Sequence, residues 1–189
     1  MRTPSPNPLT RALALSAAAL VAACADGPTG VPSDATARPP SARAERSQHH
    51  ATLAELRRVT ARYHDFDTAI ADGFVPVTAG CAEEEGGEIM PIPYAHLGRL
   101  TDGRIDPSLP DALLFEPRAD GRMTLVGVEL AIPFAQWTAP GPPTFLGVEL
   151  GREEALGVYG VHVWIWSHNP EGMFAEANPR VTCGLADAG

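Results

Sequence analysis

Alternate positions of "YGVHVWIWSH", residues 159–168, carry His162, Trp164, Trp166 and His168, while Val161, Val163 and Ile165 fall between them. Successive side chains of an extended strand point to opposite faces, so one face of this segment is aliphatic and the other bears imidazole and indole. In "MTLVGVELAIPF", residues 123–134, the same count puts Thr124, Val126, Val128, Leu130 and Ile132 on a core face. Met123, Leu125, Gly127, Glu129 and Ala131 fall on a mixed second face. Imidazole and carboxylate together suit zinc, iron or manganese, and a site with open coordination positions could activate water or dioxygen. His162 and Glu129, with His96 of "IPYAH" as a third, are therefore candidate ligands of one divalent transition metal. The competing reading makes His162 a buried, hydrogen-bonded histidine and Glu129 a solvated strand residue, and the sequence leaves both open.

His168 cannot share an ion with His162 along one strand, because six residues at ~3.3 Å rise separate them by about 20 Å. The turn signals Asn-Pro and Glu-Gly in "SHNPEGMF" put His168 at the strand end, where hydrogen bonds from its ring would hold the turn. Two indoles on an uncovered sheet face would make a large apolar patch. That face is expected to be partly covered, with a ligand pocket lined by Trp164, Trp166 and Tyr94. Gly127 would leave room there for a ring or a ligand.

Other chemistry has no support. The chain contains no G-x-S-x-G, H-E-x-x-H or G-x-G-x-x-G. All 14 basic residues are arginine, which excludes a phosphate-loop lysine, a Schiff base and lysine-bound pyridoxal phosphate. "CAEEEGGE" lacks the alternating ligands of a calcium loop, and His49-His50 reads as solvated.

The N-terminus reads as a targeting segment. Arg2 and Arg11 precede "ALALSAAALV", an apolar run suited to a signal peptide and too short to span a bilayer. The run ends in "LVAAC", which resembles the lipobox of bacterial lipoproteins, so residues 1–23 are expected to be removed and Cys24 to carry lipid. An ordinary secretory signal cut after an alanine is the alternative. Both readings take the protein out of the cytoplasm, and the lipid would make the membrane its partner. Ala25 follows Cys24 in place of the lipoprotein Asp retention signal, which leaves inner and outer membrane equally open. Without residues 1–23 the chain has 12 basic and 23 acidic side chains, a formal charge of −11, which disfavours nucleic acid as a partner. The sequence assigns no protein partner.

With Cys24 given to lipid, Cys81 and Cys183 remain in an oxidising compartment and have only each other for a disulfide. A thiol metal site or a nucleophile is the alternative.

Residues 24–50, rich in Pro, Ser, Ala and Arg, read as a disordered tether, and residues 51–189 as one domain. Thr52 and Glu55 match a capping box, and Leu53, Leu56, Val59, Tyr63, Phe66 and Ile70 form one apolar stripe that ends at Asp72-Gly73. The remaining apolar runs, "FVPV", "ALLFEP", "MTLVGVELAIPF", "TFLGVEL" and "YGVHVWIW", are strands separated by turns, and "PRADGRM" is a hairpin. No helical pattern lies between strands. The fold class is therefore α+β, a curled antiparallel β-sheet with one N-terminal amphipathic helix packed on it.

"RYHDFDTAIADGF", "DGRIDPSLPDALLFEP", "LVGVELAIP" and "HVWIWSHNPEGMFAEANPRVTC" together resemble a family of secreted bacterial proteins of unknown function, over residues 63–183. The resemblance maps its motifs onto Cys81, Phe115, Glu116, Pro117, Glu129, His162, Trp164, His168, Asn169, Gly172 and Cys183. It supports the Cys81–Cys183 pairing, draws attention to Glu129 and His162, and implies no activity. The family's histidine would fall near Tyr94, whereas this chain has His96, two residues on and on the same strand face. Two functions follow as expectations: a lipid-anchored accessory domain that binds a small ligand or a metal, or a metal-dependent enzyme using His162, Glu129 and His96.

Overall fold

Ser41 opens the first helix by accepting the Ala44 N–H on its Oγ, and α1 (Ala42–Thr60) follows, with Glu45 in the first turn and Arg57 and Arg58 in the last. These charges suit the helix dipole at both ends. The computed structural model describes residues 41–83 and 88–184. Cys24, the signal segment and most of the expected tether lie outside the described residues. Residues 42–50, assigned to the tether from sequence, are helical instead. Exposed Ala, Arg, Glu and Gln dominate those turns, so strong helix formers are present without the apolar stripe that signals a helix. Thr52 accordingly lies inside the helix and does not cap it.

The helical region also breaks. A 3₁₀ turn, Ala61–His64, leads to Asp65, whose carboxylate caps α2 (Phe66–Ala71) by accepting from the Asp67 N–H and the Thr68 hydroxyl. The break shifts the helical phase, so Ala69 is buried while Ile70 faces solvent. Gly73, at φ 95°, ends the unit.

The strands are β1 (Val75–Pro76), β2 (Ala82–Glu83), β3 (Ile89–Met90), β4 (Ile92–Ala95), β5 (Ala112–Pro117), β6 (Met123–Pro133), β7 (Thr144–Phe145), β8 (Val148–Glu149), β9 (Gly151–Glu153) and β10 (Val158–Val163), with α3 (Leu97–Leu100) after β4. Six of them form one antiparallel sheet in the order β1-β4-β5-β6-β10-β9, open at both edges. The Arg118–Arg122 turn joins β5 to β6, with Gly121 at φ 81°. "TFLGVEL" is not one strand. Leu146 and Gly147 both have positive φ, as a type I′ turn requires, and the segment folds into the β7–β8 hairpin.

One face of the sheet packs under the helices. Leu56, Tyr63 and Ala69 join Leu113, Phe115, Leu125, Val128, Leu130, Val161 and Val163 in a single core. The parity expected for β6 holds only in its C-terminal half. Leu114 pairs with Gly127 but Phe115 pairs with Leu125, so Val126 is an extra residue, a β-bulge. Leu125 therefore turns to the helix side and Val126 to the other, the reverse of the sequence expectation.

The C-terminal segment covers part of the second face. Glu116, buried, accepts the Thr182 and Cys183 N–H groups on Oε1 and pairs through Oε2 with Arg118. Leu114, Val126, Trp164 and Val181 form a small second core there. A disulfide joins Cys81 to Cys183, 102 residues apart. This returning chain supplies the partial cover expected over the face that bears Trp164. No helix among the described residues is long and apolar enough to cross a membrane.

Candidate functional site: a trough on the second face of the sheet

Directly opposed residues of paired strands point to the same side. Ala95, Ala112, Glu129 and His162 are successive cross-strand partners on β4, β5, β6 and β10, so they form one row across the second face. The next row includes Ala131 and Gly160, also partners. Most of these residues are small, and Glu129 and His162 are the long side chains that rise among them. The C-terminal segment does not fill this part of the face. Instead α3 and the turn before β10 wall it, and a cavity of about 190 Å³ remains, lined by Ala95, Leu97, Asp111, Ala112, Glu129 and Leu156 among others. A neighbouring cavity of about 120 Å³ is lined by Glu129, Glu153, His162 and Glu176 with Met90 and Leu114. Glu129 borders both.

Apart from Asp111 and Glu129, the walls of the larger cavity are apolar, and so is its mouth. Six large apolar side chains stand well exposed on the described residues, and three of them, Val77, Leu97 and Leu156, line the larger cavity. Singly exposed apolar residues are ordinary, but a group around a concavity is a feature of binding sites.

Two carboxyls lie in this setting. Glu129 is only 7% exposed. Burial pushes its carboxyl above the usual range; His162 acts against this, and Glu153 and Glu176 add to it. Gly160 makes the position possible, since a Cβ there would lie 2.6 Å from Glu129 Oε1. Asp111 is 2% exposed, and its Oδ2 accepts the Ala131 N–H at 2.8 Å. Burial raises it from 3.8 to about 7, against the pull of the Ala131 hydrogen bond and helped by Asp102 and Glu129.

His162 has a defined tautomer. Its Nδ1 lies 2.7 Å from the Glu176 carbonyl oxygen, and a carbonyl only accepts, so Nδ1 carries the proton. In the neutral ring Nε2 then keeps its lone pair, the arrangement found in metal-bound histidines and general bases.

His162 and Glu129 are thus neighbours, as expected, but His96 has another role. Its Nδ1 accepts the Arg99 N–H at the start of α3, and its ring packs edge-on to Phe74. Among the described residues no group of three or more His, Cys, Asp or Glu is placed to hold a metal ion.

Tyr94 faces the helices, edge-on to Phe66 and Phe115, because it is one residue out of register with the Ala95 row. The two indoles part company: Trp164 enters the second core and donates to the Ala175 carbonyl, whereas Trp166 donates to Thr60 Oγ1 on the helix side and packs against His64. The strand ends at Val163, so alternation does not carry on to Trp166. Both indoles border a separate hollow of about 400 Å³ that also includes Arg57 and His168.

His168 is exposed, and the turn expected of it is held by Asn169, which donates to the Ala177 carbonyl and accepts the Glu171 N–H. Gly127 serves neither ligand nor indole ring: a Cβ there would lie 2.9 Å from the Val163 carbonyl oxygen of the next strand. Asp111, Glu153, Glu176 and Gly160 were not singled out in the sequence. Only Asp111 had a signal, a lone carboxylate abutting the apolar run "ALLF".

Comparison with protein-family models, with curated proteins and with solved structures finds no match to this chain.

Proposed function

We propose that this protein is an extracytoplasmic accessory domain, held at a membrane by lipid on Cys24, that binds a small ligand in the trough on the second face of its sheet. The lipobox-like "LVAAC" and the resemblance to secreted bacterial proteins support the location. The observation that carries the binding reading is Glu129: a carboxylate 7% exposed borders two adjoining cavities, the larger of which has an apolar mouth. A buried carboxylate is costly unless something pairs with it. Keeping one at the floor of an open cavity suits a site that a ligand completes.

Ala131→Leu tests this, because the added methylenes enter the cavity from its floor. Fragments that bind the protein in ligand-observed NMR should lose binding in A131L while the variant keeps its melting transition. Fragment binding undiminished in A131L would contradict the reading.

The tautomer of His162 favours a second reading, a metal-dependent enzyme in which Nε2 and Glu129 hold an ion with open positions. Elemental mass spectrometry after soaking with zinc, iron or manganese tests it. Stoichiometric metal that is lost in His162→Ala would support it, and no retained metal would remove it.

A further inference from the structure

We infer that the trough selects a small protonated amine, its ammonium group held between Asp111 and Glu129 and its short apolar body against Val77, Leu97 and Leu156. This rests on the trough being the ligand site and names the class of ligand.

The first argument is charge. The chain has no lysine, and no arginine lines either cavity. The third buried acid shows the contrast: Glu116 has Arg118 as its ion-pair partner and two backbone N–H donors. Among the described residues, Asp111 and Glu129 have no salt-bridge partner, and His162 is the one positive influence on Glu129. Glu129 is more than nine-tenths buried, borders the cavity, and accepts no hydrogen bond among the described residues. An anion entering here would meet Asp111 and Glu129, so carboxylates and phosphates are disfavoured. A cation would give Asp111 and Glu129 the salt-bridge partner that neither has among the described residues.

The second argument is shape and donor count. An ammonium group has up to three donors and no acceptor, which matches a site of carboxylate acceptors. Asp111 already accepts from Ala131 through Oδ2, which fixes its side chain. The cavity of about 190 Å³ is small, and the apolar side chains stand at its mouth, so a body of a few carbons would leave water along that wall. The formal charge of −9 draws cations towards the protein as a whole.

A matched series tests this at pH 8: n-butylamine, n-butanol and butyrate, titrated by calorimetry and by amide chemical-shift mapping. Hydrogen bonds to charged groups contribute roughly 1.5 to 3 kcal/mol, so the amine should bind at least ~10-fold more tightly than the alcohol. Butyrate should not bind. Glu129→Gln should bring amine affinity down to that of the alcohol and leave the alcohol unchanged. Asp111→Asn, also isosteric, should lower amine affinity in the same sense, and a melting curve for each variant establishes that it is folded. If the alcohol or butyrate binds the trough as well as the amine does, the inference is overturned and the trough stands as a ligand site. If none of the three shifts trough residues, both fall.

Discussion

Replacing Asp111 by Asn should abolish a loss of stability that the native protein suffers between acid and neutral pH. The carboxyl is 2% exposed, and burial raises it from 3.8 to about 7. Below pH 3.8 folded and unfolded chains both hold the proton. Between 3.8 and about 7 the unfolded chain releases it and the folded chain keeps it, so stability falls as pH rises. The fall is complete above about pH 7. At 1.36 kcal/mol per unit, this span is worth up to about 4 kcal/mol, a large part of a domain's usual stability. Asparagine keeps an oxygen for the Ala131 N–H but does not titrate. Urea unfolding followed by tryptophan fluorescence at pH 4, 6 and 8 measures this. The difference between D111N and the native protein should grow with pH in favour of the variant and level off near pH 8. Glu129, also raised by burial, titrates in both proteins, so only its coupling to Asp111 enters the difference. Parallel stability curves for the two would refute the buried-carboxyl argument.

The glycines of the second face should separate by cost. Gly127→Ala puts a methyl 2.9 Å from a backbone oxygen that cannot move aside, and should destabilise by about 1 to 3 kcal/mol in thermal or urea unfolding. Gly160→Ala meets only the end of the Glu129 side chain, so it should cost less in the same assay while displacing the carboxylate and weakening amine binding. Reduction of Cys81–Cys183 should lower stability by up to ~4.7 kcal/mol on the chain-entropy argument for a loop of about 100 residues, seen as a fall in urea midpoint with dithiothreitol. Leu56→Ala, at a position with no exposure in the helix–sheet core, should cost about 2 to 5 kcal/mol in the same measurement.

The strand periods, the turn residues and the lack of helices between strands made the antiparallel sheet legible, and the stripe through Leu56 and Tyr63 marked the helix that covers it. What alternation could not reveal was a single extra residue: the bulge at Val126 reverses the N-terminal half of β6 and leaves no mark in composition. The same limit applied at Val163, where the chain leaves the strand and sends Trp164 and Trp166 to different sides. His162 and Glu129 were found as a pair because both lie where alternation holds, and their register makes them direct partners. Their surroundings were hidden, since Asp111 precedes its strand, Glu153 is on an edge strand and Glu176 comes from the returning segment; only the fold brings them to one place. The helical turns of residues 42–50 were missed for the opposite reason, as helix propensity without a buried face has no periodicity to read.

Amide chemical-shift mapping with n-butylamine on the ¹⁵N-labelled protein tests the central claim most directly, because it locates binding without presuming an activity. The largest changes should fall on Ala95, Ala112, Glu129, Ala131 and Gly160, the rows that floor the trough. Changes centred on the Trp164–Trp166 hollow, or none at all at saturating amine, would contradict the assignment of the trough as the functional site.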